Sequence, residues 1–273
     1  MSHAPALPTT SQPGESLISV RRGDNGIVTL TLDRGDAFNA LSAALMTTLQ
    51  DALDRIGADS SVRVVILAGS GKAFCAGHDL KEMRQDSSRE AIEALFKQCS
   101  RLMLTITRIP QPVIARVHGI ATAAGCQLVA ACDLAVAAEG ARFAVSGVNL
   151  GLFCSTPMVA LSRNLPRKQA MEMLLTGAFI DAATALRYGL INRIAAPEAL
   201  DAAVDELAGA VAAKSPAAIA FGKRLFYRQL EAGLEAAYAL ATETMTCNMM
   251  TEDAAAGIDA FIAKQPMPPW RGR

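Results

Sequence analysis

Apolar runs of six to eight residues recur along the first half of the chain, and helix-like patterns separate them. A nearly continuous apolar run is typical of a parallel strand that is covered on both faces. Strands that alternate with helices predict a largely parallel sheet with crossover helices, so the expected fold class is α/β. The runs are GIVTLTL (26–32), VRVVILAG (62–69), PVIARVHG (112–119) and DLAVAA (133–138).

The pattern changes after Pro166, where only helical signals remain. Residues 196–273 are rich in Ala and Met and predict a helical region that covers the core or packs against another subunit. Residues 16–195 then form the main α/β core. Residues 1–15, rich in Pro, Ser and Thr, predict a loose N-terminal tail.

The charge of the chain excludes some classes of partner. It carries 26 Lys and Arg residues and 26 Asp and Glu residues, so its formal net charge is zero. A neutral chain without a basic stripe argues against binding nucleic acid or an anionic membrane. Its six cysteines lie in apolar stretches without a CxxC pair, which predicts reduced, buried thiols. Together with the missing signal-peptide pattern, these features predict a cytoplasmic location.

Two of the strand-like runs end in turns rich in small residues. AFCAGHDL (73–80) places Gly77 before His78, and GIATAAGCQL (119–128) places small residues where a strand passes into a helix. Small residues let a ligand approach the backbone, and a helix N-terminus offers free N–H groups. One N–H from each turn could reach a single oxygen, which is how enzymes stabilise a thioester enolate. An Ala/Gly helix packed tightly in a core would have the same sequence, so both interpretations stay open here.

Four motifs, taken together, resemble the crotonase superfamily, also called the enoyl-CoA hydratase/isomerase family. The resemblance runs from about residue 16 to the C-terminus. It implies a crotonase-type, ClpP-like spiral of ββα units, followed by a C-terminal helical region that drives assembly into homotrimers or hexamers. It also implies an acyl-CoA substrate, in which coenzyme A is part of the substrate, with no separate cofactor and no metal. The motifs are LDRGDAFNALSAALM, AFCAGHDLKEM, GIATAAGCQLVAACDLAVA and VNLGLF.

The resemblance also implies roles for individual residues. His78 and Ala124 would donate backbone N–H groups to the thioester oxygen. Coenzyme A would contact two loops of the same chain and the C-terminal region of a neighbouring subunit. The implied contacts are Asp36, Ala37, Ala76 and Lys81 in the loops, and Phe261 and Lys264 in the C-terminal region.

The sequence departs from the family pattern where hydratases carry two glutamates that hold and activate water. Gln127 and Gly147 occupy those positions. Glutamine cannot transfer a proton at neutral pH and glycine has no side chain, so the sequence argues against ordinary enoyl-CoA hydration. Cys154 and Ser155, which follow VNLGLF, are candidate replacements. A buried thiol is the better interpretation of Cys154, because no basic partner is evident.

Two other functions fit these motifs. FAVSGVNLG together with AGHD also resembles a methylmalonyl-CoA decarboxylase of the same superfamily. Decarboxylation of a malonyl-type thioester forms the enolate directly, so it needs the oxyanion site but no base. The replaced glutamates also fit an acyl-CoA-binding oligomer without catalytic activity.

The sequence also contains residues that could form a catalytic triad or a metal site, but the spacing of these residues supports neither site. A metal site lacks a second ligand cluster, and a histidine at a strand end is more typically a structural residue. The residues are Ser146, His118 and Asp133 for the triad, and His78, Asp79 and Glu82 for the metal.

Overall fold

The larger of two sheets in the computed structural model has six strands. The model describes residues 17–23 and 25–273, so the tail predicted for residues 1–15 lies outside the described residues. The first strand is antiparallel to the second, and every later pair of neighbours is parallel. In spatial order they are β1 (Ile18–Arg22), β2 (Ile27–Leu32), β3 (Val64–Gly69), β5 (Val113–Val117), β7 (Leu134–Ala138) and β10 (Arg193–Ala195).

The smaller sheet has four strands and is built from the same turns of the chain. The chain passes from β3, β5 or β7 in the larger sheet to the next strand in the smaller sheet, and a helix follows each pair. This order is the spiral of ββα units that the family resemblance implied. The strands are β4 (Ala73–Cys75), β6 (Ile120–Thr122), β8 (Arg142–Ala144) and β9 (Ile180–Asp181); the first three are parallel, and β9 is antiparallel to β8.

Helices surround the sheets and form the C-terminal part of the chain. Among the described residues, no helix is both long enough and apolar enough to cross a membrane. The helices are α1 (Ala43–Gly57), α2 (Leu80–Gln85), α3 (Arg89–Arg108), α4 (Ala124–Ala131), α5 (Ser155–Asn164), α6 (Arg167–Thr176), α7 (Ala182–Tyr188), α8 (Leu200–Ala212), α9 (Pro216–Gln229), α10 (Leu234–Met249) and α11 (Glu252–Ile262), with short 3₁₀ helices at Gly35–Ala37, Ser146–Leu150 and Pro197–Ala199.

Strand β3 of the larger sheet is buried on both faces, which explains its continuous apolar run. Val65 and Leu67 face the main hydrophobic core, which also receives α1, α3 and α4. Val64 and Ile66 face the opposite side, where they pack in a second cluster with residues of α8 such as Val204. Because side chains alternate between the faces of a strand, a strand covered on both sides must be apolar at every position.

The two strands after Pro166 correct the prediction that this part of the chain is only helical. β10 pairs with β7 in parallel, with Ile194 opposite Ala137, and completes the larger sheet. β9 pairs with β8 and completes the smaller one. Each is only two or three residues long, too short for an alternating pattern to be visible in the sequence.

Helix α9 is fixed to the core by one buried ammonium group. The Nζ of Lys223 donates to the carbonyl oxygens of Ile106 and Gln111, each at 2.8 Å, and to Oδ2 of Asp133 at 2.7 Å. Asp133 also accepts from the Tyr227 hydroxyl at 2.9 Å and from the Val113 N–H at 2.7 Å. Burial lowers the pKa of Lys223, and the carboxylate of Asp133 opposes that shift. The ammonium therefore depends on Asp133 for its charge balance.

We expect Lys223→Met to lower the free energy of unfolding by about 3–5 kcal/mol, because the buried carboxylate of Asp133 would lose its counter-charge. Chemical denaturation measures the loss. Lys97→Met is the matched control: its ion pair with Glu93 is exposed, with a side-chain exposure of 74% at Lys97, and such pairs contribute less than about 1 kcal/mol. Equal losses in the two variants would contradict the anchoring role of Lys223.

Candidate functional site

The candidate site lies where β4 and β6 end. The two strands are parallel neighbours, with Cys75 opposite Ala121. Because the carboxyl ends of parallel strands meet at one edge of a sheet, the segments that follow them start side by side. One segment contains Gly77 and His78, and the other leads into α4.

Gly77 brings these two segments into direct contact. Its φ is +90°, a conformation that glycine adopts without strain. A Cβ at this position would lie 2.9 Å from the Cβ of Ala123 and 3.2 Å from the backbone nitrogen of Ala124. There is thus no room for a side chain between the two turns.

The first turn of α4 is also held against β4. A Cβ at Gly125 would lie 2.0 Å from the carbonyl oxygen of Cys75, so only glycine fits here. Ala123, before the helix, has φ 50° and ψ −120°, a conformation that L-residues rarely adopt. Its N–H donates to the Ala144 carbonyl at 2.9 Å, which fastens the turn to β8. This geometry turns the strand sharply into the helix.

Two backbone N–H groups of the site have no acceptor among the residues that the structure describes. Ala124 is the first residue of α4, so its N–H lacks an acceptor within the helix. His78 forms a parallel bridge with Leu41. The Leu41 N–H donates to Gly77 at 2.7 Å, and the Leu41 carbonyl accepts from Asp79 at 3.3 Å. In such a bridge the N–H of the central residue points away from its partner, so the His78 N–H is free.

Asp79 holds the first segment in place. Its carboxylate accepts from the N–H groups of Lys81 and Glu82 and caps α2. It also forms an ion pair with Arg34 at 3.1 Å. Burial alone would raise the pKa of Asp79, but the hydrogen bonds from Arg34 and from the backbone together lower it. Asp79 is therefore an ionised structural cap.

Asn39 fixes the loop that pairs with His78, although no motif in the sequence singles it out. It is fully buried and has a positive φ of 53°, which asparagine tolerates better than most residues. Its Nδ2 donates to the carbonyl oxygens of Ser70 and Ala73, each at 2.9 Å. Its Oδ1 accepts from the Arg34 N–H at 2.9 Å. A polar residue inside the apolar motif FNAL was the only signal for it in the sequence.

Gln127 and Gly147, the positions expected to correspond to the hydratase glutamates, both have little free space around them. Gln127 is 4% exposed, and its Oε1 has no hydrogen-bond partner in the described structure. Gly147 lies against the loop that precedes α5: a Cβ there would be 2.5 Å from the Leu152 carbonyl oxygen and 2.8 Å from the Cys154 sulfur. The space of a side chain at 147 is thus already filled.

Neither candidate replacement has the environment of an activated nucleophile. The Sγ of Cys154 accepts from the Gly147 N–H at 3.3 Å, and burial raises the pKa of this thiol. A raised pKa disfavours the reactive thiolate. Ser155 is exposed, and its hydroxyl donates to the Phe153 carbonyl at 3.2 Å. All six cysteines are free thiols; five are buried as predicted, but Cys247 is exposed, so the prediction of a buried thiol is wrong there.

The three residues considered for a catalytic triad do not bind one another but other groups. The Ser146 hydroxyl pairs with that of Thr122 at 2.9 Å. The Nε2 of His118 pairs with the Gly71 carbonyl at 2.9 Å, and Asp133 anchors α9. Of the three residues considered as metal ligands, Asp79 caps α2. The carboxylate of Glu82 accepts from the Ala43 N–H at 3.0 Å and caps α1. No group of His, Cys, Asp or Glu in residues 17–23 and 25–273 forms a metal cluster.

The expected coenzyme A contacts fall into two groups. The Ala76 N–H donates to the Phe38 carbonyl at 3.0 Å, which brings the loop of Asp36 and Ala37 next to the first segment of the site. Lys81 is exposed at the start of α2. Phe261 is 74% exposed near the end of α11, and Lys264 follows that helix.

Comparisons with known proteins agree on the family of the chain. A family model described as enoyl-CoA hydratase/isomerase matches residues 22–273. The mitochondrial enoyl-CoA hydratase domain-containing protein 3 of Mus musculus is 43% identical over 260 residues, which cover 95% of this chain and 86% of that protein. A probable enoyl-CoA hydratase of Rhizobium meliloti is 34% identical over 255 residues, covering 92% of this chain and 96% of that one.

Solved structures agree on the fold. The enoyl-CoA hydratase of Mycobacterium smegmatis superposes with a TM-score of 0.92 at 58% identity, covering 94% of this chain and 99% of that chain. Human enoyl-CoA hydratase domain-containing protein 3 gives a TM-score of 0.90 at 41% identity, covering 93% and 100%. The crotonase-type α/β fold and the family that the motifs predicted are both confirmed: the chain belongs to the enoyl-CoA hydratase/isomerase family.

Proposed function

We propose that this protein is an enzyme acting on acyl-CoA thioesters that stabilises a thioester enolate with the backbone N–H groups of His78 and Ala124. The observation that carries the proposal is that two unpaired N–H groups lie on turns that touch each other. Membership of the enoyl-CoA hydratase/isomerase family supports a CoA thioester as the substrate.

The two N–H groups act on the thioester carbonyl oxygen. As a carbon–hydrogen or carbon–carbon bond next to the carbonyl breaks, negative charge moves onto that oxygen, and fixed N–H dipoles stabilise it more than they stabilise the neutral substrate. Ala124 adds the positive end of the α4 dipole. The rigidity of the site comes from Gly77 and Gly125, whose close contacts leave the turns little freedom to separate.

Ordinary hydration is not the reaction that these side chains favour. Hydration of a double bond needs a group that takes a proton from water, and Gln127 cannot do so near neutral pH. No neighbouring side chain can reach position 147 to act as the missing base, because Leu152 and Cys154 fill the space around Gly147.

Decarboxylation of a malonyl-type thioester is a second candidate, favoured by the replacement of both hydratase glutamates. The bond between the α-carbon and the carboxylate carbon breaks, carbon dioxide leaves, and the electron pair passes into the enolate. A water molecule then protonates the α-carbon, and the hydroxide that remains passes into solvent. The step requires stabilisation of the enolate oxygen and no protein base, which matches the groups present.

The proposal also covers the binding of coenzyme A and the assembly of subunits. Asp36, Ala37, Ala76 and Lys81 are proposed to line its path, and Phe261 and Lys264 to reach the site of a neighbouring subunit. Large apolar side chains exposed on the C-terminal helices support a homotrimer or hexamer. They include Leu234, Tyr238 and Ile262, which are 77%, 69% and 72% exposed, and they lie near Met250, which directly follows α10 and is 81% exposed. The cytoplasmic location stays a prediction, since the names of several relatives place them in mitochondria.

Turnover of crotonyl-CoA and methylmalonyl-CoA, together with binding of butyryl-CoA, tests the proposal. We expect calorimetric binding of butyryl-CoA and product from methylmalonyl-CoA in preference to crotonyl-CoA. Efficient hydration of crotonyl-CoA would contradict the argument from Gln127 and Gly147. Binding without product from any thioester would show a non-catalytic binding protein, and no binding at all would refute the assignment.

Proline can delete the N–H of Ala124 without removing the helix, because proline suits the first helical position. Its ring would clash with the Cβ of Ala123, so the deletion is made in an Ala123→Gly background. We expect the double variant Ala123→Gly/Ala124→Pro to lose about 10²–10³ in kcat relative to Ala123→Gly alone, as for removal of one oxyanion donor. Steady-state kinetics and circular dichroism measure activity and folding. A correctly folded double variant with the kcat of its parent would show that this N–H does not meet the developing charge.

Gly147→Ala tests whether the second glutamate position is sterically closed. Its new Cβ would press on the Leu152 carbonyl and the Cys154 sulfur, so we expect a loss of about 1–3 kcal/mol in unfolding free energy. Gly140→Ala is the control, because a Cβ there meets nothing within 4 Å. It should be neutral, or stabilising by up to about 1 kcal/mol. Denaturation midpoints distinguish them, and a neutral Gly147→Ala would reopen this position to a catalytic side chain.

A further inference from the structure

A cavity of about 630 Å³ lies at the edge of the larger sheet where its parallel strands begin. Residues that precede β2, β3 and β5 line it, together with the start of α9 and residues 270–272 near the C-terminus. The cavity shares no lining residue with the proposed acyl-CoA site, which lies where β4 and β6 end. A volume of this size is typical of pockets that bind small molecules.

The lining of this cavity is positively charged. Arg63, Lys214 and Arg271 contribute to it, and no Asp or Glu of the residues that the structure describes does so. The whole chain has no net charge, so this excess of cations is local. Arg63 donates to the carbonyl oxygens of Ala212 and Lys214 rather than to a carboxylate. Cations that face one cavity favour an anionic ligand.

Nearby carboxylates balance only part of this charge. Arg271 pairs with Glu252 at 3.2 Å. Burial raises the pKa of Asp253, while its hydrogen bonds and the charge of Arg63 together lower it, so Arg63 is partly engaged by a carboxylate. The ammonium of Lys214 has neither a hydrogen bond nor an ion pair within the described part of the chain. Lys214 is therefore the cation that a ligand can use most fully.

The C-terminal wall of the cavity is fixed by Asp253, which is 3% exposed. Its carboxylate accepts from the backbone N–H groups of Arg271 at 2.7 Å and Gly272 at 3.0 Å, and from the Ser215 hydroxyl at 2.6 Å. The indole N–H of Trp270 donates to a backbone carbonyl of the loop between α8 and α9 at 2.8 Å. A wall that is ordered before the ligand arrives reduces the entropic cost of binding.

The remaining groups of the lining indicate which kind of anion fits. The N–H of Ala217, in the first turn of α9, has no acceptor among the described residues, and the positive end of the helix dipole lies there. Such N–H groups bind phosphate oxygens. Apolar side chains complete the lining and suit an organic group that is attached to the phosphate. They belong to Val62, Pro110, Val211, Pro216, Ile219 and Trp270.

We propose that this cavity binds a small organic phosphate, with the phosphate held by Lys214 and Arg63. Ammonium and guanidinium groups both form charge-assisted hydrogen bonds to phosphate, and these are stronger than bonds between neutral groups. The inference does not depend on the proposed function, because the two sites use different residues. Coenzyme A also carries phosphate groups, so the test must separate it from other phosphate esters.

Trp270 is the single tryptophan of the chain, so its fluorescence reports on the cavity directly. We expect phenyl phosphate and glycerol phosphate to change this fluorescence saturably at constant ionic strength, and inorganic phosphate to bind more weakly. Lys214→Met should weaken the binding of both esters by about tenfold, because one charged hydrogen bond is lost. Lys168→Met is the matched control: Lys168 is exposed on α6, outside the cavity, and its loss should leave the affinities unchanged.

Calorimetry repeats these titrations without relying on fluorescence. The proposal is wrong if neither ester binds, or if Lys214→Met and Lys168→Met bind both esters equally well. Equally tight binding of inorganic phosphate would overturn the part of the proposal that concerns the organic group. A loss of butyryl-CoA affinity in Lys214→Met as large as that for phenyl phosphate would identify coenzyme A as the ligand and exclude a second site. Binding of the esters without binding of butyryl-CoA would support this inference while refuting the proposed function.

Discussion

The candidate site depends on the contact between two backbone turns, at which side chains are excluded. Gly77 touches the turn at Ala123, and Gly125 lies under the carbonyl oxygen of Cys75. These contacts exist because β4 and β6 are parallel neighbours whose ends meet at one edge of the smaller sheet. A pair of N–H donors is useful only when their spacing is fixed before the substrate arrives, since reorganisation would consume the stabilisation that they provide. Close backbone packing provides that rigidity.

Much of this arrangement could be predicted from the sequence. Long apolar runs identified the buried strands, and the glycine- and alanine-rich turns located the place where backbone could approach a ligand. Both signals depend on neighbouring residues of the chain. β9 and β10 were missed because they are too short for any pattern, and pairing with distant strands determines them.

The residues that hold the site in place could not be predicted either, because their hydrogen-bond partners lie far away in the sequence. Asn39 is important because its amide reaches the carbonyls of Ser70 and Ala73, more than thirty positions away. Lys223 anchors α9 through groups from three other segments. A single polar residue in an apolar stretch shows that something buried needs a partner, but the sequence does not say which carbonyl or carboxylate provides it. The closed space at Gly147 is likewise a property of the folded loop.

Gln127 and Gly147, at the positions where the resemblance implies glutamates in hydratases, also matter for the electrostatics of the proposed site. A carboxylate within a few ångströms of an enolate oxygen repels it, and in a poorly solvated site that repulsion is much larger than in water. Gln127 and Gly147 carry no charge, and the ring of His78 is mainly neutral at pH 7. An enolate formed here is therefore opposed by none of these side chains. Such a site is better suited to reactions in which the substrate itself generates the anion than to reactions in which the protein must first remove a proton.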